Sequence, residues 1–249
     1  MEEIIHLILK IAATLIESGA EISRAEDSIS HMCRAYGALA TNAYATTSHI
    51  TVTVETPEGF YTQTRRPKQI SNNLDLLDRT NALVRYVSAN APSAEEIKER
   101  IEALPKGKYP WYIIAPAQGV IAASFCLFFG SRSVWECAFA FLVGFLLGCL
   151  GRVLDRIESN TLLKSFLLSF LASMAAFSLT RLDAVATPDY IIIGYIMNLI
   201  PGLGFTGALR DLFVGDLFTG MVRILSALLL AIAIATGFIL TMVIFGGVV

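Results

Sequence analysis

Five stretches without a formal charge fill the second half of this chain: 23 residues between Lys108 and Arg132, 15 between Glu136 and Arg152, 16 between Lys164 and Arg181, 20 between Asp189 and Arg210, and 26 after Arg223. An α-helix rises 1.5 Å per residue, so about 20 apolar residues cross the hydrocarbon of a bilayer. The second stretch reaches that length if Arg152 snorkels and Glu136 is tolerated at the outer end; Thr161-Leu162-Leu163 extends the third. The pattern predicts five spans, at about 111–131, 134–151, 161–181, 189–209 and 221–247. Charge is divided unevenly, with 12 Lys+Arg and 14 Asp+Glu in residues 1–110 but 7 and 7 in residues 111–249. The predicted fold is an α-helical integral membrane protein of about five transmembrane helices, one of them broken at a Pro-Gly, with a cytoplasmic α+β domain over 1–110.

Several function classes are set aside by composition and motif. A net charge of −2 gives no basic footprint for nucleic acid. The opening "MEEIIHLILK" begins with two acids and lacks the basic n-region of a secretory signal, so export of the N-terminal domain is not expected. Cys33, Cys126, Cys137 and Cys149 have no CxxC spacing, and three of them lie in apolar runs where a free thiol packs as a small hydrophobe. His6, His31 and His49 are scattered, so no metal site is expected. No GxSxG, HExxH, Walker A or GxGxxG motif occurs, and neither an enzyme nor a cofactor is implied.

In the N-terminal part, Ile4, Ile8, Ile11, Leu15, Ile22, Ala25, Ile29, Met32 and Tyr36 form a helical stripe with one gap across Gly19. A break near Ser18–Ile22 is expected, with Gly19 ending one helix and Ser23 with Glu26 forming a capping box for the next. "ITVTVETPEGFYTQTR" reads as a hairpin turning at Pro57-Glu58-Gly59, and "TNAYATTS" as a third strand. Ile70, Leu74, Leu77, Val84 and Val87 mark a further helix, and Ser93 with Glu96 caps another that carries Ile97, Ile101 and Leu104. Glu17, Glu21, Arg24, Glu26 and Asp27 crowd the break. They read either as ordinary ion pairs on a helix surface or as a binding or gating patch.

Within the predicted spans, Gly144, Gly148 and Gly151 stand at GxxxG and GxxG spacing, which suits close helix packing. Placing residues 1–110 in the cytoplasm puts Arg152, Arg156, Lys164, Arg210 and Arg223 on the inner side and only Arg132 and Arg181 outside. The basic pair Lys106 and Lys108 adds to the bias, and the C-terminus then lies outside. Pro201 interrupts the fourth span: it has no N–H for the carbonyl of Met197, and its ring crowds that carbonyl. Backbone freed at membrane depth must be buried in protein or meet a watery cavity. Asn198 and Thr206 offer polar groups near the break, and Gly202, Gly204 and Gly207 permit close approach of another backbone or a solute. Interrupted helices of this kind form substrate sites in transporters. Residues 210–223 read either as a cytoplasmic loop with ordinary ion pairs or as a segment that re-enters the protein, where Arg210 or Arg223 meets a carboxylate.

Three ordered motifs resemble the threonine/serine exporter family: "ESGAEISRAEDSISHMCRAYG", "TRRPKQISNNLDLLDRTNALVRYV" and "LIPGLGFTGALRDLFVGDLFTGMVRILSALLLAIAIATG". The resemblance covers nearly the whole chain. It implies an inner-membrane secondary exporter of small polar carboxylates: threonine and serine for fused members with about ten spans, succinate-type dicarboxylates for a split, two-protein form. With five spans, the chain resembles the larger subunit of the split form, which implies a second small membrane subunit supplying further spans; a homo-oligomer is also compatible. Motif positions carried over are Gly19, Ala20, Glu21, Arg24, Glu26 and Asp27 in the soluble part, with Pro201, Gly202, Arg210, Asp211, Gly215, Asp216, Gly220 and Arg223 in the membrane part. The roles expected are anion contact for Arg210 and Arg223, proton or cation coupling for Asp211 and Asp216, and shaping of the cavity by Asn198 with Pro201 and Gly202. The competing reading is a non-transporting membrane protein whose cytoplasmic domain senses a ligand or scaffolds a partner.

Overall fold

The computed structural model describes residues 1–68, 71–105, 109–157 and 160–245. Expectations resting on Ile70, Lys106, Lys108 and the last residues of the fifth span lie outside the described residues. The chain divides into two compact units: residues 1–107 with Thr206–Met221, and residues 108–205 with 222–249.

The first unit has α1 (Glu2–Glu17), α2 (Ile22–Ala35), β1 (Ala40–Ala45), β2 (Ile50–Thr56), β3 (Gly59–Arg65), α3 (Leu74–Asn90) and α4 (Ala94–Glu102). The strands form an antiparallel sheet in the order β1-β2-β3, with Ile50 opposite both Ala45 and Arg65. Along β2 the alternation holds, with Ile50, Val52 and Val54 fully buried. Helix α1 is buried more widely than one stripe: Ile5, Leu7, Leu9, Ala12, Ala13 and Ile16 join the expected positions. The reason is its central place, packed by α2, α3, α4 and β3.

The break falls at Ser18–Glu21, where Gly19 has φ +99° and a side chain would crowd Asn72. The segment before α3 straps this turn, because Ser71 N–H donates to the Glu17 carbonyl and Asn73 N–H to that of Ser18. The Ser23–Glu26 capping box does not form. Ser23 already lies inside α2, whose N-cap is Glu21, and Glu26 accepts instead from the Ala45 N–H at 2.7 Å. Ser93 does cap α4 through the Glu96 N–H, while the Glu96 carboxylate turns to Tyr86 and Arg100.

The remaining helices are α5 (Trp111–Phe128), α6 (Val134–Ile157), α7 (Thr161–Arg181), α8 (Asp189–Leu199), α9 (Gly202–Val214) and α10 (Leu217–Phe245). Four of them, α5, α6, α7 and α10, are long and apolar enough to cross a membrane, and α8 with α9 forms a bent pair that makes up to five. Helix α6 continues to Ile157, beyond the predicted 151, and α10 starts at Leu217 rather than 221.

In the second unit, small residues let backbones approach. A Cβ on Gly144 would lie 2.8 Å from the Gln118 carbonyl of α5, and one on Gly194 of α8 would lie 2.5 Å from that of Ala122. Gly237 of α10 meets α7 in the same way at Phe166, where Ser169 Oγ donates to the Ile234 carbonyl and Thr241 Oγ1 to that of Phe170. Glu136 is accommodated inside α6 by a 2.6 Å hydrogen bond from Ser131 Oγ. By contrast, a Cβ at Gly204 would meet only Pro201, at 3.8 Å. Gly194→Ala should therefore destabilise the bundle by about 1–3 kcal/mol through overpacking, while Gly204→Ala is neutral or stabilising. Thermal unfolding of the two variants in detergent checks this; equal melting temperatures would contradict it.

Candidate functional site

Pro201 ends α8 as expected. Leu199 is its last residue, Ile200 is extended with φ −66° and ψ 126°, and α9 starts at Gly202 after a 50° bend. The chain resumes helical bonding at once, with Phe205 N–H donating to the Pro201 carbonyl. One turn before the proline, Asn198 Nδ2 donates to the Gln118 carbonyl of α5 at 3.2 Å.

Asn198 lines a cavity of about 260 Å³ within the second unit. Its more enclosed residues are uncharged: Tyr195 of α8 is 1% exposed, Leu168 of α7 3% and Ser165 of α7 6%. Gln118 Oε1 is buried there without a hydrogen-bond partner, against the bare backbone of Gly148. The half-exposed residues carry the charge. Arg152 of α6 lines the space, and Lys164 of α7 pairs with Asp155 of α6. Among the described residues Arg152 has no ion-pair partner. Two cations and one anion thus line a space the size of an amino acid or a short diacid, which can orient a carboxylate by charge-assisted hydrogen bonds.

The segment 206–221 behaves differently and belongs with the first unit. Arg210 of α9 donates to Glu21, the residue at the start of α2, at 2.8 Å. Asp211 is 5% exposed. Gly215, at φ +98°, closes α9, and Asp216 caps α10 by accepting from the Thr219 N–H. The Gly-Asp pair is therefore a helix stop and start. A Cβ on Gly220 would strike the Leu212 side chain at 2.6 Å, so that glycine lets α10 fold against α9.

The sequence model of the threonine/serine exporter family matches residues 6–245. The chain belongs to the threonine/serine exporter family. Its relatives include the "Probable succinate transporter subunit YjjP" of Klebsiella aerogenes, 21% identical over 97% of this chain and 93% of that protein. The protein of the same name from Escherichia coli is also 21% identical, over 97% and 94%. The "Probable threonine/serine exporter" of Mycobacterium tuberculosis is 22% identical over 96% of this chain but 46% of its own length. No solved structure matches.

Of the residues singled out from sequence in this exporter-family chain, Asn198 lies in the cavity and Pro201 with Gly202 forms the break beside it. Among the described residues nothing lies within 4 Å of a Cβ built on Gly202, while close backbone approach occurs at Gly144 and Gly148, as expected, and also at Gly194. Gly151 is looser, with Leu168 at 3.7 Å. Arg210 and Asp216 do not line the cavity and are engaged with Glu21 and Thr219. Arg223 does not line it either; it falls on α10, in the second unit. Arg152, Lys164, Asp155 and Gln118 were missed as a set because they come from three helices whose juxtaposition no local spacing reveals. The local signal of Arg152, Asp155 and Lys164 is charge at the end of an apolar run, which marks span ends and orientation; Gln118 carries no such signal.

Burial is the largest influence on the Glu26 carboxyl and raises its pKa; the Ala45 N–H opposes this, and the charges of Asp216 and Asp27 add to the rise. A carboxyl whose pKa is raised on folding contributes stability that is fully present below its unfolded value near 4.5 and is lost as pH rises through the folded value. Ionised Glu26 is therefore a cost at neutral pH. Glu26→Gln keeps an acceptor for Ala45, so its apparent melting temperature at pH 7 should equal or exceed that of the wild type. The advantage should vanish on acidification below 4.5. Melting curves of both proteins across this range provide the check, and a variant less stable at pH 7 would contradict it.

Proposed function

We propose that this chain is a subunit of a secondary transporter that exports small polar carboxylates, threonine or serine or a succinate-type dicarboxylate, across the bacterial inner membrane. The observation that carries the reading is the cavity containing Asn198, one turn before the Pro201 break, with Arg152 in its wall and without an ion-pair partner among the described residues. Residues 1–110 form the cytoplasmic domain and residues 111–249 the transmembrane domain, with the C-terminus outside. The five-to-two excess of basic residues supports this orientation. A second small membrane subunit completes the transporter. This is supported by the subunit designation of the Klebsiella aerogenes relative and by the extent of apolar surface left uncovered on α10.

In this reading the Arg152 guanidinium takes the solute carboxylate, and Asn198 and Ser165 meet its hydroxyl or remaining carboxylate oxygens. An α-amino acid places its carboxylate between Arg152 and Lys164 and its ammonium on Asp155, so each charge of the lining keeps an opposite neighbour. A dicarboxylate instead engages Arg152 and Lys164 and leaves Asp155 facing like charge. The charge balance of the lining therefore favours the zwitterion.

Arg152→Gln should lower export by the assembled complex in vesicles about tenfold, the loss of one charge-assisted hydrogen bond to the solute. Arg156→Gln, on the same helix but outside the cavity, should leave export unchanged. Equal export by both variants at equal membrane abundance would overturn the assignment.

A further inference from the structure

A second cavity, of about 370 Å³, lies wholly within the first unit, between α2 and α3. Its wall holds two arginines, Arg24 of α2 and Arg85 of α3, and neither enters an ion pair among the described residues. His31 stands two turns along α2 from Arg24, and Asp27 is the one acid in the lining. Val84 and the arginine methylenes make its floor apolar.

A further observation points to a missing partner. Serines inside helices usually return their hydroxyl to the carbonyl four residues earlier. Ser28 does so to Arg24 at 2.7 Å, and Thr80 does the same to Leu76 at 2.6 Å. Ser88 does not: its Oγ is buried at this cavity with no hydrogen-bond partner. A buried hydroxyl without a partner costs about 1–3 kcal/mol, so the position is expected to be answered by something.

We propose that this cavity is a binding site for a small organic carboxylate, distinct from the cavity in the second unit. The two guanidinium groups take the anion, Ser88 and Asn81 meet its remaining oxygens, and Val84 packs on its carbon body. Asp27 disfavours ligands of high negative charge and accepts an ammonium where the ligand carries one. The site lies one helical turn from Glu21, the residue that holds Arg210. The inference does not depend on the transport reading, because every residue it uses lies outside the second unit.

The test is succinate binding to the full chain in detergent at constant ionic strength, by calorimetry, on an Arg152→Gln, Lys164→Gln background that removes the cations of the other cavity. One saturable succinate site should persist there, and adding Arg24→Gln or Arg85→Gln should weaken it about tenfold, as expected for one charge-assisted hydrogen bond. Both arginines are exposed, so these changes should leave the melting temperature unaltered. Hydrogen exchange with succinate present should show added protection in α2 and α3. The proposal is overturned if binding disappears with the Arg152 and Lys164 changes alone, if it ignores Arg24 and Arg85, or if inorganic phosphate binds there in preference to succinate. Failure of the export test with success of this one would leave the site standing and remove only the transport reading.

Discussion

Everything in the second unit follows from the rule that a peptide group at membrane depth must find a partner. Helices α5, α6, α7 and α10 obey it internally, and glycines such as Gly144 and Gly237 bring their backbones together. Helix α8 cannot obey it beyond Leu199, because Pro201 has no N–H to give. The consequence is a bend, a short extended stretch at Ile200, and a polar side chain, Asn198, directed to the Gln118 carbonyl of the neighbouring helix. A cavity lined by both of those residues is where the polar inventory of three other helices also gathers. The break lies at the edge of that cavity, which Asn198 and Leu199 line.

The motif positions near the N-terminus and those near residue 210 have a common physical basis. Ser18, Gly19 and Glu21 build a turn that only a glycine with positive φ completes and that the 71–73 strap holds closed. That turn presents Glu21 to Arg210, while Glu26 of the same helix feels the charge of Asp216. Two motifs far apart in sequence are thus parts of one compact unit. Within that unit Arg210 pairs with Glu21, and Asp216 caps α10 through the Thr219 N–H.

Much of this was legible in the residues. The hairpin followed from strict alternation at Ile50, Val52 and Val54, and the α1–α2 break from a single glycine that interrupts a helical stripe. Pro201 announced the bend. What stayed hidden was combination across helices: Arg152 and Lys164 read as ordinary inner-side charges because periodicity describes one helix at a time. Ser23 and Glu26 matched a capping box in spacing but not in fact, since the β1 backbone offered Glu26 a better use. Gly202 and Gly204 were conspicuous in sequence, yet among the described residues a Cβ on Gly204 would meet only Pro201, whereas Gly194, alone in an apolar run, approaches as closely as Gly237, its built Cβ 2.5 Å from the Ala122 carbonyl. Local pattern reveals flexibility, but only packing reveals proximity.

The proposal that the cavity at the end of α8 is a water-filled solute passage is tested most directly by thiol accessibility. In a protein lacking Cys33, Cys126, Cys137 and Cys149, Asn198→Cys should react with a membrane-impermeant thiol reagent and be protected by the transported solute. Val243→Cys, on the apolar surface of α10, should not react. Asn198→Cys as inert as Val243→Cys, or labelled without any protection by solute, would contradict the account.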